Sequence, residues 1–476
     1  MARALGFLLL PLFTRYLSPE DYGIIALLSW LGIVVNPLVS LGLGAGLAPQ
    51  YFRRDFEGRR QEVTWTALWL IAGAALGTLV LVFLAGGAID GWLGVPPRIR
   101  HGFFLGVSAL AAGALLVPLQ GNLQFSGRAR AFTTVSLVSA GATLGLAVIL
   151  VVVMKRGVEG WFEAMLGGQI AGVAIAAFLN RSLGGPRWNP SMARGLVMSG
   201  LALMPTSFLV FALQHGNKWL LQAHRGLAEL GLYNVALSIA LLMNLVVMSI
   251  QSAWFPAIMA RRDQPEEALA SNTRMLLRLA LALGVLNLLL GAGARPIVTL
   301  MTAPAFHSAY RLVALAANAH VWAGLFYVGI IPLYFEGREN AQTVILAAAV
   351  VVYGGLSFWL VPLLGGLGCA VATVAGFAGA AFAALGYTCT LQPRLGSLVR
   401  ALAPRWAAVF ALWLLGGALL AFESWRPGAA PWLSAAVCLG APVAGWRMLA
   451  DDERAAALAA VRRAGRWRGK TVAPAD

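Results

Sequence analysis

Residues 23–55, GIIALLSWLGIVVNPLVSLGLGAGLAPQYFRRD, return 208 positions later as residues 231–263, GLYNVALSIALLMNLVVMSIQSAWFPAIMARRD. Gly23, Asn36, Val39, Ala45, Arg53, Arg54 and Asp55 recur without a gap as Gly231, Asn244, Val247, Ala253, Arg261, Arg262 and Asp263. Apolar matches carry little weight in so apolar a chain. A mid-segment Asn and a terminal Arg-Arg-Asp carry more. A second echo supports the first: Gly127, Arg128, Ala131 and Thr133 come back as Gly337, Arg338, Ala341 and Thr343, shifted by 210. The chain is a tandem duplication.

The composition says what is duplicated. Of 476 residues, 59% are hydrophobic and 11% charged, and the mean hydropathy is +0.77. Soluble domains carry about 25% charge. A membrane crossing needs ~20 mostly apolar residues in a helix that satisfies its own backbone. The segments do not alternate as barrel strands do, so the sequence predicts an all-α polytopic membrane protein of about fourteen transmembrane helices. The expected spans are 1–17, 23–50, 63–89, 102–120, 132–154, 161–179, 197–222, 230–258, 276–300, 312–334, 342–362, 367–388, 404–421 and 431–448. The first is read as a span because Thr14 to Pro19 offers no small-residue cleavage site.

The net charge of +16 is explained by its distribution rather than by nucleic acid. With the first end inside, 25 of the 35 Lys and Arg fall on inner loops and tails, nine fall outside, and Lys218 lies within a span. Basic inner loops orient a membrane protein, so both termini are expected in the cytoplasm. Cys369, Cys389 and Cys438 sit in apolar stretches without Cys-x-x-Cys spacing, which implies neither a disulfide framework nor a metal site.

A repeat of about 208 residues holds six spans, an even number, so the copies run parallel and are related by an axis along the membrane normal. The expected organisation is a six-helix lobe over 1–190, a second over 191–392, two extra helices over 393–450 and a basic cytoplasmic tail over 451–476. Paired glycines (Gly42 and Gly46, Gly73 and Gly77, Gly141 and Gly145, Gly168 and Gly172) are expected to let helices approach closely. Pro118, Pro205, Pro256 and Pro332 interrupt spans and mark candidate kinks.

The segment Leu10-Pro11-Leu12-Phe13-Thr14-Arg15-Tyr16-Leu17-Ser18-Pro19-Glu20-Asp21-Tyr22-Gly23 resembles the opening of Wzx-type polysaccharide flippases of the multidrug/oligosaccharidyl-lipid/polysaccharide exporter superfamily. Ala228 to Tyr233 is similar to the start of their eighth helix and Ser252 to Pro256 to its end, and Pro362 to Ala372 is similar to their turn from helix 11 to helix 12. The resemblance implies lobes like those of multidrug (MATE) exporters. It also implies a cargo of oligosaccharide on a polyprenyl pyrophosphate, moved to the outer leaflet of a bacterial cytoplasmic membrane by alternating access for capsule, O-antigen or exopolysaccharide assembly. Implied partners are this anionic lipid-linked oligosaccharide, membrane lipids and polysaccharide assembly enzymes. Before the eighth helix the family often shows an acidic-basic pair, where Asn217 and Lys218 stand here. A coupling scheme requiring an acid there does not carry over, and the coupling ion stays open.

An ionisable residue inside hydrocarbon costs at least ~2.5 kcal/mol on insertion scales and usually faces a cavity. Lys218, beside Gln214, His215 and Asn217, reads either as a cationic contact for pyrophosphate or as a lysine reaching for the interface. Arg15 reads either as an anion contact or as an orienter of the Pro19 to Gly23 turn. The two together suggest one cationic cavity. Asn36 and Asn244, the repeated pair, and Gln251 are polar candidates for bonding at the lobe interface.

The rival readings are a drug or cation antiporter of the same superfamily and a polytopic enzyme of polysaccharide assembly. Asp90, Glu159, Glu229, Glu336 and Glu423 lie at span ends, which disfavours a cationic cargo, and no His-Glu-x-x-His spacing occurs. Gly465 to Thr471 superficially resembles a phosphate-binding loop, but Ala464 stands where the first glycine belongs and five residues follow, so no ATPase is read there. The sequence calls for no catalytic residue, metal or cofactor, and no nucleic acid.

Overall fold

A computed structural model describes residues 10–93, 100–261, 263–338, 340–391 and 404–411, together with 396, 397, 400, 413, 440 and 443. The first nine residues of the expected first span, half of the 404–421 span, nearly all of the 431–448 span and the 451–476 tail lie outside the described residues. Everything regular that is described is helical. Among the described residues nine helical segments are long and apolar enough to cross a membrane, one of them the 70-residue stretch Pro190–Met259 that holds two of the expected spans. The protein is a multi-pass all-α membrane protein.

The helices used below are α1 (Leu10–Phe13), α2 (Pro19–Ser40), α3 (Leu43–Tyr51), α4 (Arg60–Leu93), α5 (Arg100–Ala114), α6 (Leu116–Phe125), α7 (Ala129–Ala147) and α8 (Gly157–Leu179). They continue as α9 (Pro190–His215), α10 (Lys218–Met259), α11 (Pro265–Ala292), α12 (Ala294–Met301), α13 (Tyr310–Gly329), α14 (Ile331–Phe335), α15 (Asn340–Leu364) and α16 (Gly366–Leu391). The chain forms two compact units. The first comprises Met1–Leu242, Pro296–Ala319 and Arg338–Ala380; the second comprises Met243–Arg295, His320–Gly337 and Ala381–Asp476.

Local chemistry explains the helix boundaries. Ser18 caps α2 reciprocally: its hydroxyl accepts from the Asp21 N–H at 3.2 Å, and the Asp21 carboxylate accepts from the Ser18 N–H at 2.9 Å. Pro19 takes the first helical position, where a missing N–H is harmless. The Ser18-Pro19-Glu20-Asp21 signature is therefore a helix start. Asn189 caps α9 without reciprocity, its side-chain carbonyl oxygen accepting from the N–H groups of Ser191 and Met192. Gly127 and Gly337, matched by the repeat, both adopt left-handed turns with φ of 74° and 63°, so the second echo preserves backbone geometry that glycine alone adopts without cost.

Kinks follow proline in two of the four expected places. Helical order breaks at Leu115 and Ile330, just before Pro118 and Pro332. A proline at position i leaves the carbonyl at i−4 without its N–H partner; for Pro332 that carbonyl belongs to Val328, and the Asn272 amide donates to it at 3.0 Å. Pro205 and Pro256 sit inside α9 and α10, which continue past them.

Two further breaks have no proline at their centre, one at Gly226 inside α10 and one ahead of α3. Between α2 and α3, Leu41 and Gly42 take φ of 51° and 68°, a conformation that costs a leucine about 1–2 kcal/mol. The break nests on α9, where a Cβ on Gly42 or on Gly46 would overlap the Gly200 backbone. Gly168 and Gly172 similarly meet Thr143 and Ser139 of α7. Gly73, Gly77, Gly141 and Gly145 have open space where a Cβ would stand. Those two pairs are not close-approach motifs, because they sit on the outward faces of α4 and α7.

Candidate functional site

Within the first unit the two repeat copies meet at their equivalent residues. A side chain on Gly23 would collide with the Leu227 carbonyl, and one on Gly231 with the Pro19 carbonyl. Tyr22 packs edge-on against Phe306 with ring centroids 5.1 Å apart, and the Ala303 N–H donates to the Thr14 hydroxyl at 3.2 Å. Charge assists nearby: Glu229 accepts from the Gly366 N–H at 2.8 Å, and Arg225 donates to the Pro362 and Leu363 carbonyls at 2.9 and 2.8 Å. Backbone meets backbone across a glycine surface. The contacts lie at the end that the arginine distribution assigns to the outside.

Next to this crossing, the chain turns from α9 into α10 through a polar knot. The Asn217 N–H donates to the Tyr353 hydroxyl at 2.6 Å, and its side-chain amide donates to the Cys369 carbonyl at 2.9 Å and the Thr373 hydroxyl at 3.4 Å. Lys218 is 2% exposed and donates to the Asn234 side-chain oxygen at 3.3 Å. No carboxylate lies within ion-pairing distance of it among the described residues. The Asn217 side-chain oxygen is buried without a partner. Gln214 and His215 are half-buried, whereas Arg15 is exposed in the turn after α1. The structure thus joins Asn217 and Lys218 in one enclosed cluster and leaves Arg15 in a different environment.

The repeated asparagines differ as well. Asn244 is 5% exposed, and its amide lies 3.2 Å from the His320 Nδ1 in the second unit. Asn36 is exposed, and Gln251 is half-buried. Sequence reasoning missed Tyr353, Cys369, Thr373 and Asn234; all but Asn234 come from helices more than a hundred residues away, and no spacing rule announces them.

At the opposite end of the first unit the polar groups are structural. The Tyr51 hydroxyl donates to the Asn122 side-chain oxygen at 3.0 Å, Asn122 donates to Asn180 at 2.8 Å, and Asn180 donates to the Leu119 carbonyl at 3.1 Å. Outside this network Glu62 binds Arg59, and that hydrogen bond holds the guanidinium above its ordinary pKa. Glu163, at the start of α8, pairs with Arg156 at 2.8 Å.

The second unit contains an apolar cavity of about 390 Å³ lined by Leu276, Trp322, Leu325, Phe382, Trp406 and Phe410, among others. Its lining suits hydrocarbon rather than a sugar. Among the described residues no group of His, Cys, Asp and Glu is placed to hold a metal ion.

A family model described as polysaccharide biosynthesis protein matches residues 1–261. No curated protein matches the chain. Solved structures do. A multidrug resistance MATE family transporter of the MOP superfamily, in an inward-facing conformation, aligns with a TM-score of 0.68 and 15% identity over 84% of this chain and 96% of its own. The lipid II flippase MurJ, in an inward closed conformation, aligns with a TM-score of 0.65 and 12% identity over 94% and 96%. The Vibrio cholerae MATE transporter VcmN aligns with a TM-score of 0.55 and 15% identity over 83% and 98%. At these identities the likeness is one of fold.

Proposed function

The chain belongs to the polysaccharide biosynthesis protein family, and from that membership we propose that it flips a polyprenyl-pyrophosphate-linked oligosaccharide from the cytoplasmic to the outer leaflet of a bacterial cytoplasmic membrane. The observation that carries the reading is the charge inventory of the interior. Among the described residues the one charged side chain that is buried is the cation Lys218, and no carboxylate is buried. A positive interior favours an anionic headgroup. In this reading Lys218, with Gln214, His215 and Asn217, sets the potential felt by the pyrophosphate, and Arg15 meets it at the outer end.

The crossing of Gly23 and Gly231 supports alternating access. The two copies touch there through glycine backbone, the edge-on Tyr22–Phe306 pair and one neutral hydrogen bond, so these contacts part without breaking a salt bridge. A cationic-drug exporter has the fold likeness in its favour, but its cargo calls for a buried carboxylate. Proteoliposomes decide between the two. Protein-dependent movement of a lipid-linked oligosaccharide across the bilayer, with no efflux of a cationic dye, is the expected result; dye efflux without lipid movement overturns it.

A further inference from the structure

The apolar cavity of the second unit sits at a definite depth. Its lining comes from α11, α13, α16 and the helical segment 404–411, in each case from the end that the arginine distribution assigns to the cytoplasm. Leu325 stands four residues before the end of α13, Cys389 two before the end of α16, and Trp406 two after residue 404. The lining residue farthest from its helix end is Leu276, eleven residues after Pro265. Eleven residues of helix rise about 16 Å, roughly half of a ~30 Å hydrocarbon core, so the cavity stays within one leaflet.

Its walls carry no charged side chain. Trp322 stacks on Phe410 with ring centroids 5.8 Å apart, and Trp406 stacks on the same ring at 5.9 Å, which fixes a flat aromatic wall. An apolar hollow stays dry and takes apolar guests. Arginines gather at its cytoplasmic end. Arg274 follows Thr273 and Arg405 precedes Trp406, both lining residues, and Arg400 lies within electrostatic reach of the Cys389 thiol. All three are exposed, and among the described residues no carboxylate pairs with them.

We propose that this cavity holds one acyl chain of an anionic phospholipid of the cytoplasmic leaflet, with the lipid phosphate on Arg274, Arg400 and Arg405. A hydrocarbon slot with arginines at its end is complementary to an amphiphile with a negative head, and basic sites between helices recognise such heads. The cargo tail is a different guest: it must follow its headgroup from one leaflet to the other, whereas this slot stops near the midplane. The lipid fills the seam between the second bundle and the helical segment 404–411 that follows the repeat. The proposal does not depend on the flippase reading.

The test titrates the purified, delipidated full chain with dioleoylphosphatidylglycerol, dioleoylphosphatidylcholine or a polyprenyl phosphate and counts bound lipid by native mass spectrometry. One phosphatidylglycerol is expected to bind at least about tenfold more tightly than phosphatidylcholine. Changing Arg274, Arg400 and Arg405 together to Gln should weaken it about a hundredfold, the scale of three arginines at a lipid phosphate. Arg130→Gln, an exposed site in the first unit, should leave it unchanged. Gly386 lines the slot, and a Cβ there meets nothing within 4 Å, so Gly386→Phe should fill the slot and abolish the tight binding without lowering the thermal midpoint in detergent. If Gly386→Phe does not fold, the arginine variant, changed only at exposed side chains, decides. Equal affinity for the two phospholipids, wild-type binding by the arginine variant, or tight binding that survives in a folded Gly386→Phe protein overturns the proposal. Tighter binding of the polyprenyl phosphate overturns it as well, by making the slot a seat for the cargo tail.

Discussion

Gly23 and Gly231, equivalent residues of the two repeat copies, lie against each other's chains: a Cβ on Gly231 would stand 3.0 Å from the Gly23 nitrogen. The symmetry visible in the sequence is therefore also a physical contact, made where neither copy has a side chain to spare.

Substituting either glycine forces the helices apart. Gly23→Leu and Gly231→Leu are each expected to destabilise by about 1–3 kcal/mol, the usual cost of overpacking, and to slow transport. Gly73→Ala, where a Cβ meets nothing within 4 Å, is the matched control and should leave the thermal midpoint in place. Thermal unfolding of the detergent-purified variants measures this, and equal midpoints for all three would refute the contact.

Asn272 and Pro332 form a coupled pair. Asn272→Leu strips the Val328 carbonyl of its donor, at a cost of about 1–3 kcal/mol for a buried unsatisfied group. Restoring a backbone N–H with Pro332→Ala should recover part of that loss. A double-mutant cycle on chemical denaturation reads the coupling; strict additivity would show that Asn272 serves some other group.

Lys218→Met is expected to fold with an unchanged or higher thermal midpoint, since replacing a buried charge by an apolar chain of similar volume is often neutral or stabilising. Transport should nevertheless fall by at least about tenfold, the scale of one hydrogen bond to a charged group. Arg15→Ala should also lower transport, without thermal change because the residue is exposed. Undiminished flipping by both variants would remove the cations from the mechanism.

Reporter fusions after residues 55 and 263 should both be read on the cytoplasmic side, because parallel copies place equivalent loops on one face. Opposite sidedness would end the parallel-repeat reading.

The duplication, the helical class and the course of most helices were legible because membrane helices announce themselves by length and apolarity. The left-handed break at Leu41 and Gly42 was not legible. A span that is apolar all round carries no periodic face whose interruption marks a bend, and its cause is the Gly200 backbone, 158 positions away in sequence. The same holds for the candidate site. The isolation of Lys218 stood out, but its enclosure depends on Tyr353 and Cys369, which other helices deliver. Proline was a half-reliable guide: Pro118 and Pro332 follow real breaks, whereas the helix continues past Pro205 and past Pro256, and the break inside α10 lies at Gly226 instead.

The Leu41 strain persists because two docking partners hold it in place. Above the break the helix belongs to its own bundle, and below it the short segment from Leu43 to Tyr51 is moored to α9. Such an element works as a crank rather than a rod: straightening it would tear one mooring loose, so movement of either arm is delivered to the other through a two-residue elbow.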